Sequence, residues 1–229
     1  MLIRVGMEKY PGNNFTAWAL DFPGCVAYGT DEAETLLTLP RKLLEFDYWV
    51  RLHTDDPWFE LDSMDFHVDE TFVVSQTNCQ GMEYEVNAFF KDDQRPLSEA
   101  EVSQALQVIG WQQDELLAGI EFVGEEQLNR VETGQRWSIM GILRQLANAE
   151  VRYLQNFGVE TSQIPRDTDP ISAINQSFEA VIEALSDLAG DSRVVDFAQE
   201  SWSTRKLVRR LLWLRRDHID QVRQLFGII

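Results

Sequence analysis

The sequence predicts an α+β protein: a small N-terminal antiparallel sheet with a helix, followed by an all-α four-helix bundle. Three observations carry that expectation. Hydrophobic residues alternate with period two near the start, and four long stretches after Ser98 switch to a helical period punctuated by caps and breakers. A polar, proline-containing stretch, Lys91-Asp92-Asp93-Gln94-Arg95-Pro96, separates the two regimes. The boundaries read as residues 1–93 for the sheet domain and 98–229 for the bundle.

Ile3, Val5 and Met7 form the first alternating run, and Phe15 to Phe22 the second, with Pro11-Gly12-Asn13-Asn14 as the turn between them. Cys25-Val26-Ala27-Tyr28 reads as a third strand stopped at Gly29. The period then changes. Asp31 followed by Glu34 forms a capping box, and Leu36, Leu37, Leu43, Leu44 and Trp49 continue a helix to about residue 50. Pro40 is expected to kink or divide that helix, because its ring nitrogen cannot donate. Two more strands follow, one marked by Phe66, Val68, Phe72 and Val74. The other is marked by Met82, Tyr84, Val86, Ala88 and Phe90 alternating with Glu83, Glu85 and Asn87.

In the second half, Ser98 and Glu101 form a capping box for a helix carrying Val102, Leu106, Ile109, Leu116 and Leu117. Ser138 caps a second helix, whose apolar residues Ile139, Ile142, Leu143, Leu146, Tyr153, Leu154 and Phe157 stop just before Gly158. A third runs from about Pro170 to Ala189, and a fourth starts near Ser203 and carries Leu207, Val208, Leu211, Leu212, Leu214, Val222 and Leu225. Four amphipathic helices of similar length imply a bundle.

Composition narrows the function. The 229 residues are 44% hydrophobic and 25% charged, with 38 acidic against 20 basic side chains, a net charge of −18. That excludes fibrous and wholly disordered classes. Residues 1–97 carry 7 basic and 18 acidic groups (net −11), and residues 98–229 carry 13 and 20 (net −7). Such acidity repels phosphate backbones and anionic membranes, so neither nucleic acid nor a membrane surface is an expected partner. No apolar run is long enough to span a bilayer and no secretory signal opens the chain, so a soluble cytoplasmic protein is expected. Cys25 and Cys79 are too few for a disulfide framework or thiolate cluster and read as small core residues. The run Asp55, Asp56, Glu60, Asp62, Asp65, Asp69 and Glu70 lacks the glycine and spacing of a calcium loop and reads as a solvated acidic connection. His53 and His67 stand alone. No nucleophile elbow, phosphate loop or dinucleotide fingerprint is present.

Two resemblances sharpen this. Asp21-Phe22-Pro23-Gly24-Cys25-Val26-Ala27-Tyr28-Gly29-Thr30-Asp31-Glu32-Ala33 resembles the strand-turn-strand-helix signature of HicB-type antitoxin domains, over roughly the first fifty residues. The resemblance implies a protein-binding domain, although the DNA-binding module that often follows it is absent.

Over nearly all of residues 98–229 the chain resembles the DinB-like superfamily, through two segments. One is Trp137-Ser138-Ile139-Met140-Gly141-Ile142-Leu143-Arg144-Gln145-Leu146-Ala147-Asn148-Ala149-Glu150. The other runs from Trp202-Ser203-Thr204-Arg205 to Leu214-Arg215-Arg216-Asp217-His218. Relatives write the first as W-S-x-x-x-x-L-x-H-L-A-x-x-E and close the second with H-E-x-x-H. The resemblance therefore implies a three-histidine site for a divalent metal such as zinc or nickel, and thiol transferase or isomerase activity.

Here Gln145 and Leu214 stand at two of the three histidine positions, and His218 alone remains. Leucine offers no lone pair and a neutral amide is a poor ligand for these metals, so a decayed site without metal or other cofactor is expected.

At about 100° per residue, Glu150 falls within the second helix's apolar stripe, and Arg215 and His218 within the fourth's. An isolated buried charge costs several kcal/mol, so Glu150 should pair with Arg215 or His218. Gln145, Glu150, Leu214, Arg215 and His218 thus outline a candidate polar pocket, either a structural ion pair or a small-ligand site, with catalytic residues unassigned. The basic residues Arg205, Arg209, Arg216 and Arg223 gather on one flank of the last helix, where docking against the acidic first domain explains them better than nucleic acid does.

Three functions stay open: a binding or interaction scaffold with a degenerate metal site, a metal-dependent thiol S-transferase, and an antitoxin-like protein-binding module. Self-association as a homodimer is plausible, although a clean homodimer would not favour the antitoxin-like reading, and the sequence leaves the face, the ligand and the partner protein open.

Overall fold

The structure, a computed structural model, describes residues 1–61, 63–79 and 81–226. Asp62 of the acidic connection, the side chains of Cys79 and Met82, and residues 227–229 lie outside the described residues. The chain forms two compact units, Met1–Arg95 with Ser192–Arg209, and Pro96–Asp191 with Arg210–Ile229. The division differs from the boundaries drawn above, because Ser192–Arg209 clusters with the sheet rather than with the helices that flank it in sequence.

The first unit is built on strands β1 (Leu2–Lys9), β2 (Phe15–Ala19), β3 (Val26–Gly29) and β4 (Asp65–Val73), in the order β3-β2-β1-β4. β1 pairs antiparallel with β2 but parallel with β4, so the sheet is mixed and the expected all-antiparallel sheet is corrected. The cause is the helix α1 (Glu32–Arg51), which carries the chain from β3 back across the sheet. Such a crossover delivers the next strand parallel to β1.

Asp31 caps α1, its Oδ1 accepting from Glu34 N at 2.8 Å. The reciprocal half of the box moves one residue back, since Glu34 Oε2 accepts from Thr30 N at 2.7 Å and Thr30 Oγ1 at 2.6 Å. Those two donors hold the Glu34 carboxyl below its ordinary range. Pro40 lies inside the helix without dividing it. Leu39 and Leu43, both fully buried, anchor the turn on either side of the missing hydrogen bond.

Strand alternation puts Ile3, Val5 and Met7 on one face of β1, opposite Ala19 and Ala17 of β2, and α1 packs on β2 and β3. Arg4, Gly6 and Glu8 occupy the other face, where Arg4 pairs with Asp21 and Asp92, the Phe90 ring lies on Gly6 and Trp18 Nε1 donates to Glu8. A Cβ on Gly6 would lie 2.7 Å from the Phe90 ring, so only glycine admits that ring onto β1. The stretch Lys91–Gln94 is a 3₁₀ turn with Asp93 buried, not the solvated linker its polarity suggested. Its carboxylates face inward because arginines await them, as described below.

Two hairpins complete the unit, β5 (Ser75–Cys79) with β6 (Met82–Val86), and β7 (Val194–Phe197) with β8 (Glu200–Ser203). The expected strand from Met82 to Phe90 therefore ends at Val86.

In the second unit, α2 (Glu99–Ile120), a short α3 (Glu125–Asn129), α4 (Ile139–Asn156), α5 (Pro170–Ser186) and the portion of α6 (Thr204–Leu225) from Arg210 onward surround one core. Leu116, Ile142, Leu143, Leu146, Ile174 and Leu214 lie at its centre. The four long helices match the four expected ones in order and placement. The Ser98 and Glu101 box closes in both directions, with Oγ accepting from Glu101 N at 3.2 Å and Oε2 accepting from Ser98 N at 2.8 Å. Ser138 Oγ accepts from Gly141 N at 3.2 Å, and Asp169 Oδ2 from Ser172 N at 2.9 Å with Pro170 behind it. No helix among the described residues is long and apolar enough to cross a membrane.

Cys25 sits in the core of the first unit, and burial pushes its thiol up to about 12. The folded protein should therefore resist alkylation at Cys25 at neutral pH, with modification appearing only on unfolding. Peptide mapping after iodoacetamide treatment checks this, and fast labelling of the native chain at Cys25 would contradict it.

Candidate functional site

The most concentrated polar chemistry in the bundle joins α4 to α6. Glu150 belongs to a helix whose neighbours on the same stripe are Leu143, Leu146, Ala147 and Leu154, so folding carries its carboxylate inside. Arg215 follows Leu214 on α6 and is carried inside likewise. Both residues are fully buried, at 0% exposure.

They form a two-point ion pair. Arg215 Nη2 donates to Glu150 Oε2 at 3.0 Å, and Arg215 Nε lies 2.5 Å from Glu150 Oε1, close but out of line for a hydrogen bond. Neighbours on α2 and α5 add further contacts. Arg215 Nη1 donates to Gln113 Oε1 at 2.8 Å, Ser177 Oγ lies 2.7 Å from Glu150 Oε2, and Gln113 Nε2 donates to Asn175 Oδ1 at 2.8 Å. The guanidinium also lies 5.2 Å from the Phe178 ring centroid. Every long helix of the unit thus contributes to one network: α2 through Gln113, α4 through Glu150, α5 through Asn175 and Ser177, and α6 through Arg215.

The other candidate residues are not assembled with it. Gln145 is exposed, and the expectation that it faces a polar pocket is corrected: it lies on the outer flank of α4, beside the stripe and not on it. Leu214 is a core residue packed among Ile and Leu side chains. His218 is partly buried, and its Nδ1 lies 2.8 Å from Leu214 O, one turn back on its own helix. No carboxylate among the described residues pairs with His218.

A divalent metal does not fit this arrangement. It needs three or four converging donors, and among the described residues no group of three His, Cys, Asp or Glu side chains could hold one. Glu150 Oε2 already accepts from Arg215 and Ser177, and its Oε1 lies against Arg215 Nε at 2.5 Å. A general base must also reach a substrate proton, and a carboxylate with no exposed surface and a guanidinium against it has none in reach.

The network members Gln113, Asn175 and Ser177 went unrecognised in the sequence although two carried a signal. Gln113 follows Ile109 by four residues and precedes Leu116 by three, and Ser177 lies between Ile174 and Val181, so both are polar residues on apolar stripes. An open cleft of about 530 Å³ beside the end of α2 has Leu117, Ile120 and Val123 in its wall and Asp114, Glu121 and Glu125 at its rim. None of the network residues lines it.

A second buried network fills the first unit. Arg209 Nη2 donates to Asp93 Oδ2 at 2.8 Å and to Ala88 O at 3.2 Å, with its guanidinium 4.7 Å from the ring centroids of both Trp18 and Phe90. Lys206 Nζ lies 2.7 Å from Glu200 Oε1, and Arg205 Nε donates to Arg95 O at 3.0 Å. Glu8, at 0% exposure, accepts from Trp18 Nε1 at 2.9 Å, Ala88 N at 2.7 Å and Tyr10 Oη at 2.9 Å. The basic start of α6 is thus spent inside this unit on carboxylates and carbonyls. Farther along, Arg216 and Arg223 both pair with Glu115 of α2.

Of the acidic run, Asp55, Asp56 and Glu60 lie at the surface of the connection while Asp65 and Asp69 are exposed on β4, and His53 and His67 are exposed as well.

No family model matches the chain, and no curated protein does. Among solved structures, the chain is similar to YfiT from Bacillus subtilis, described as a probable metal-dependent hydrolase with an unusual four-helix bundle topology. The likeness covers 57% of this chain and 90% of that one at 15% identity, with a TM-score of 0.43.

Proposed function

We propose that this protein is a DinB-like binding or interaction scaffold whose bundle holds an internal ion pair in place of a catalytic metal. The observation that carries the reading is the doubly contacted Glu150–Arg215 pair at 0% exposure. In the H-E-x-x-H pattern of the resemblance Arg215 falls on the glutamate, and Leu214 on the first histidine. The substitutions support one another: a guanidinium and a leucine fill the interior, Glu150 turns from an isolated carboxylate into a paired one, and the remaining imidazole hydrogen-bonds along its own helix. The internal use of the basic residues of α6 supports the further reading that nucleic acid is not a partner.

The competing reading, a metal-dependent thiol S-transferase, requires a metal held through His218. Elemental analysis of the purified chain after dialysis separates the two, with thiol-conjugation rates measured under added zinc, nickel or manganese. Substoichiometric metal and no metal-stimulated conjugation are expected. One equivalent of metal, lost on His218→Ala together with conjugating activity, would overturn the proposal.

A further inference from the structure

We infer that the open cleft at the end of α2 binds a linear aliphatic polyamine, with ammonium groups held by Asp114 and Glu121 and the methylene chain laid along the apolar wall between them. The inference is independent of the reading of the bundle interior, because none of the buried network residues lines this cleft.

Asp114, Leu117, Ala118 and Glu121 recur at i, i+3, i+4 and i+7, so they share one face at the C-terminal end of α2. Leu117 is half-buried and Ala118 is small, and Ile120, Val123 and Ile171 extend the apolar surface around them. At about 1.5 Å per residue the two acidic residues stand roughly 10 Å apart along the helix. Side chains on a helix lean the same way, toward its N-terminus, so that separation persists at the carboxylates. The cleft volume of about 530 Å³ is in the range of small-ligand sites.

The charge is of one sign. No lysine, arginine or histidine lines the cleft. Nor does either acidic residue have a basic one a helical turn away: Asp114 is flanked by Gly110, Trp111, Leu117 and Ala118, and Glu121 by Leu117, Ala118 and Glu125. Glu121 is the C-cap of α2, whose last turn has no basic residue. The C-terminus of a helix carries partial negative charge, so an acid is disfavoured there, and a bound cation is stabilised both by the carboxylate and by the helix end.

The spacing selects the kind of cation. Magnesium or calcium needs several oxygens converging at about 2.0–2.6 Å, and carboxylates two turns apart do not converge. Among the described residues no group of three acidic, histidine or cysteine side chains could hold a metal ion. Two separated carboxylates with apolar surface between them fit two ammonium groups joined by methylenes. Nine bonds separate the terminal nitrogens of spermidine, as many as in three residues of extended chain, roughly 10–11 Å.

Isothermal titration calorimetry of the full chain with spermidine at physiological ionic strength tests this. Saturable one-to-one binding with a Kd below about 1 mM is expected, about tenfold tighter than for ethylenediamine, whose nitrogens are too close together to reach both carboxylates. Asp114→Asn and Glu121→Gln should each weaken spermidine binding several-fold, and the double variant about tenfold or more. Both positions are exposed, so the circular dichroism should not change. Glu121→Lys should also weaken binding, and it places a base where the helix end favours one, which separates loss of binding from loss of fold. Asp55→Asn with Asp56→Asn, in the other unit, should bind spermidine as the parent does. Absence of saturable binding would overturn the proposal. So would ethylenediamine or magnesium binding as tightly as spermidine, binding indifferent to the Asp114 and Glu121 variants, or an equal loss in the Asp55 and Asp56 variant.

Discussion

Replacing Glu150 with alanine should destabilise the bundle by about 3–5 kcal/mol, because the Arg215 guanidinium would remain at 0% exposure with Gln113 Oε1 as its described polar acceptor. At about 2–4 °C per kcal/mol for a chain of this size, the midpoint of thermal unfolding should fall by roughly 6–20 °C. Arg215→Met should cost a comparable amount by stranding the carboxylate. The informative variant is the double one. Glu150→Leu with Arg215→Met removes both charges and fills the space with apolar atoms, and should recover most of the loss. With Glu150→Leu as the matching single variant, thermal melts of the parent, Glu150→Leu, Arg215→Met and the double variant form a double-mutant cycle. Additive single losses would mean that the two side chains do not depend on one another, contrary to the 2.5 Å and 3.0 Å contacts between them.

In the other unit the largest effect is expected from Arg209→Ala. The guanidinium stacks on Trp18 and Phe90 and holds Asp93 through two nitrogens, Nη2 at 2.8 Å and Nε at 3.3 Å. Its removal leaves the Asp93 carboxylate, 1% exposed, with the Phe90 backbone N–H at 2.8 Å as its remaining described donor. A loss of about 3–5 kcal/mol is expected. Arg209→Lys should recover little, because an ammonium can neither bridge both carboxylate oxygens in a planar fork nor stack flat between two rings. Hydrogen exchange should report faster opening of the β1 and β2 amides. Protection equal to the parent protein's would show that Arg209 is not what closes the aromatic layer over the sheet.

The helices of the bundle were legible because their information is local. Ser98, Ser138 and Pro170 announce helix starts, and the apolar residues between them recur at helical spacing. Glu150 and Arg215 were legible for the same reason, as charged residues on apolar stripes that burial obliges to find partners. The partner from α2 was not, since nothing local ties Gln113 to a residue 102 positions away.

The sheet was less legible. Hydrophobic alternation specifies a strand but not its neighbour, and the parallel pairing of β1 with β4 depends on where α1 returns the chain. The β7–β8 hairpin was missed because Ala198 and Gln199 turn it at φ of 51° and 67°, a conformation that asparagine or glycine would have advertised. Lys91–Pro96 reads as a linker only while Arg4, Arg205 and Arg209 are out of view. With them in place its aspartates are interior anions.

On the proposed reading an arginine–glutamate pair, and not a metal, occupies the centre of the bundle. The most direct measurement is anomalous diffraction from crystals of protein purified without chelator and soaked in zinc or nickel, read around Glu150, Arg215 and His218. A guanidinium clasped to the Glu150 carboxylate, with no anomalous peak between α4 and α6, is the expected result. A peak bonded to the His218 imidazole, with Arg215 swung away from Glu150, would contradict it.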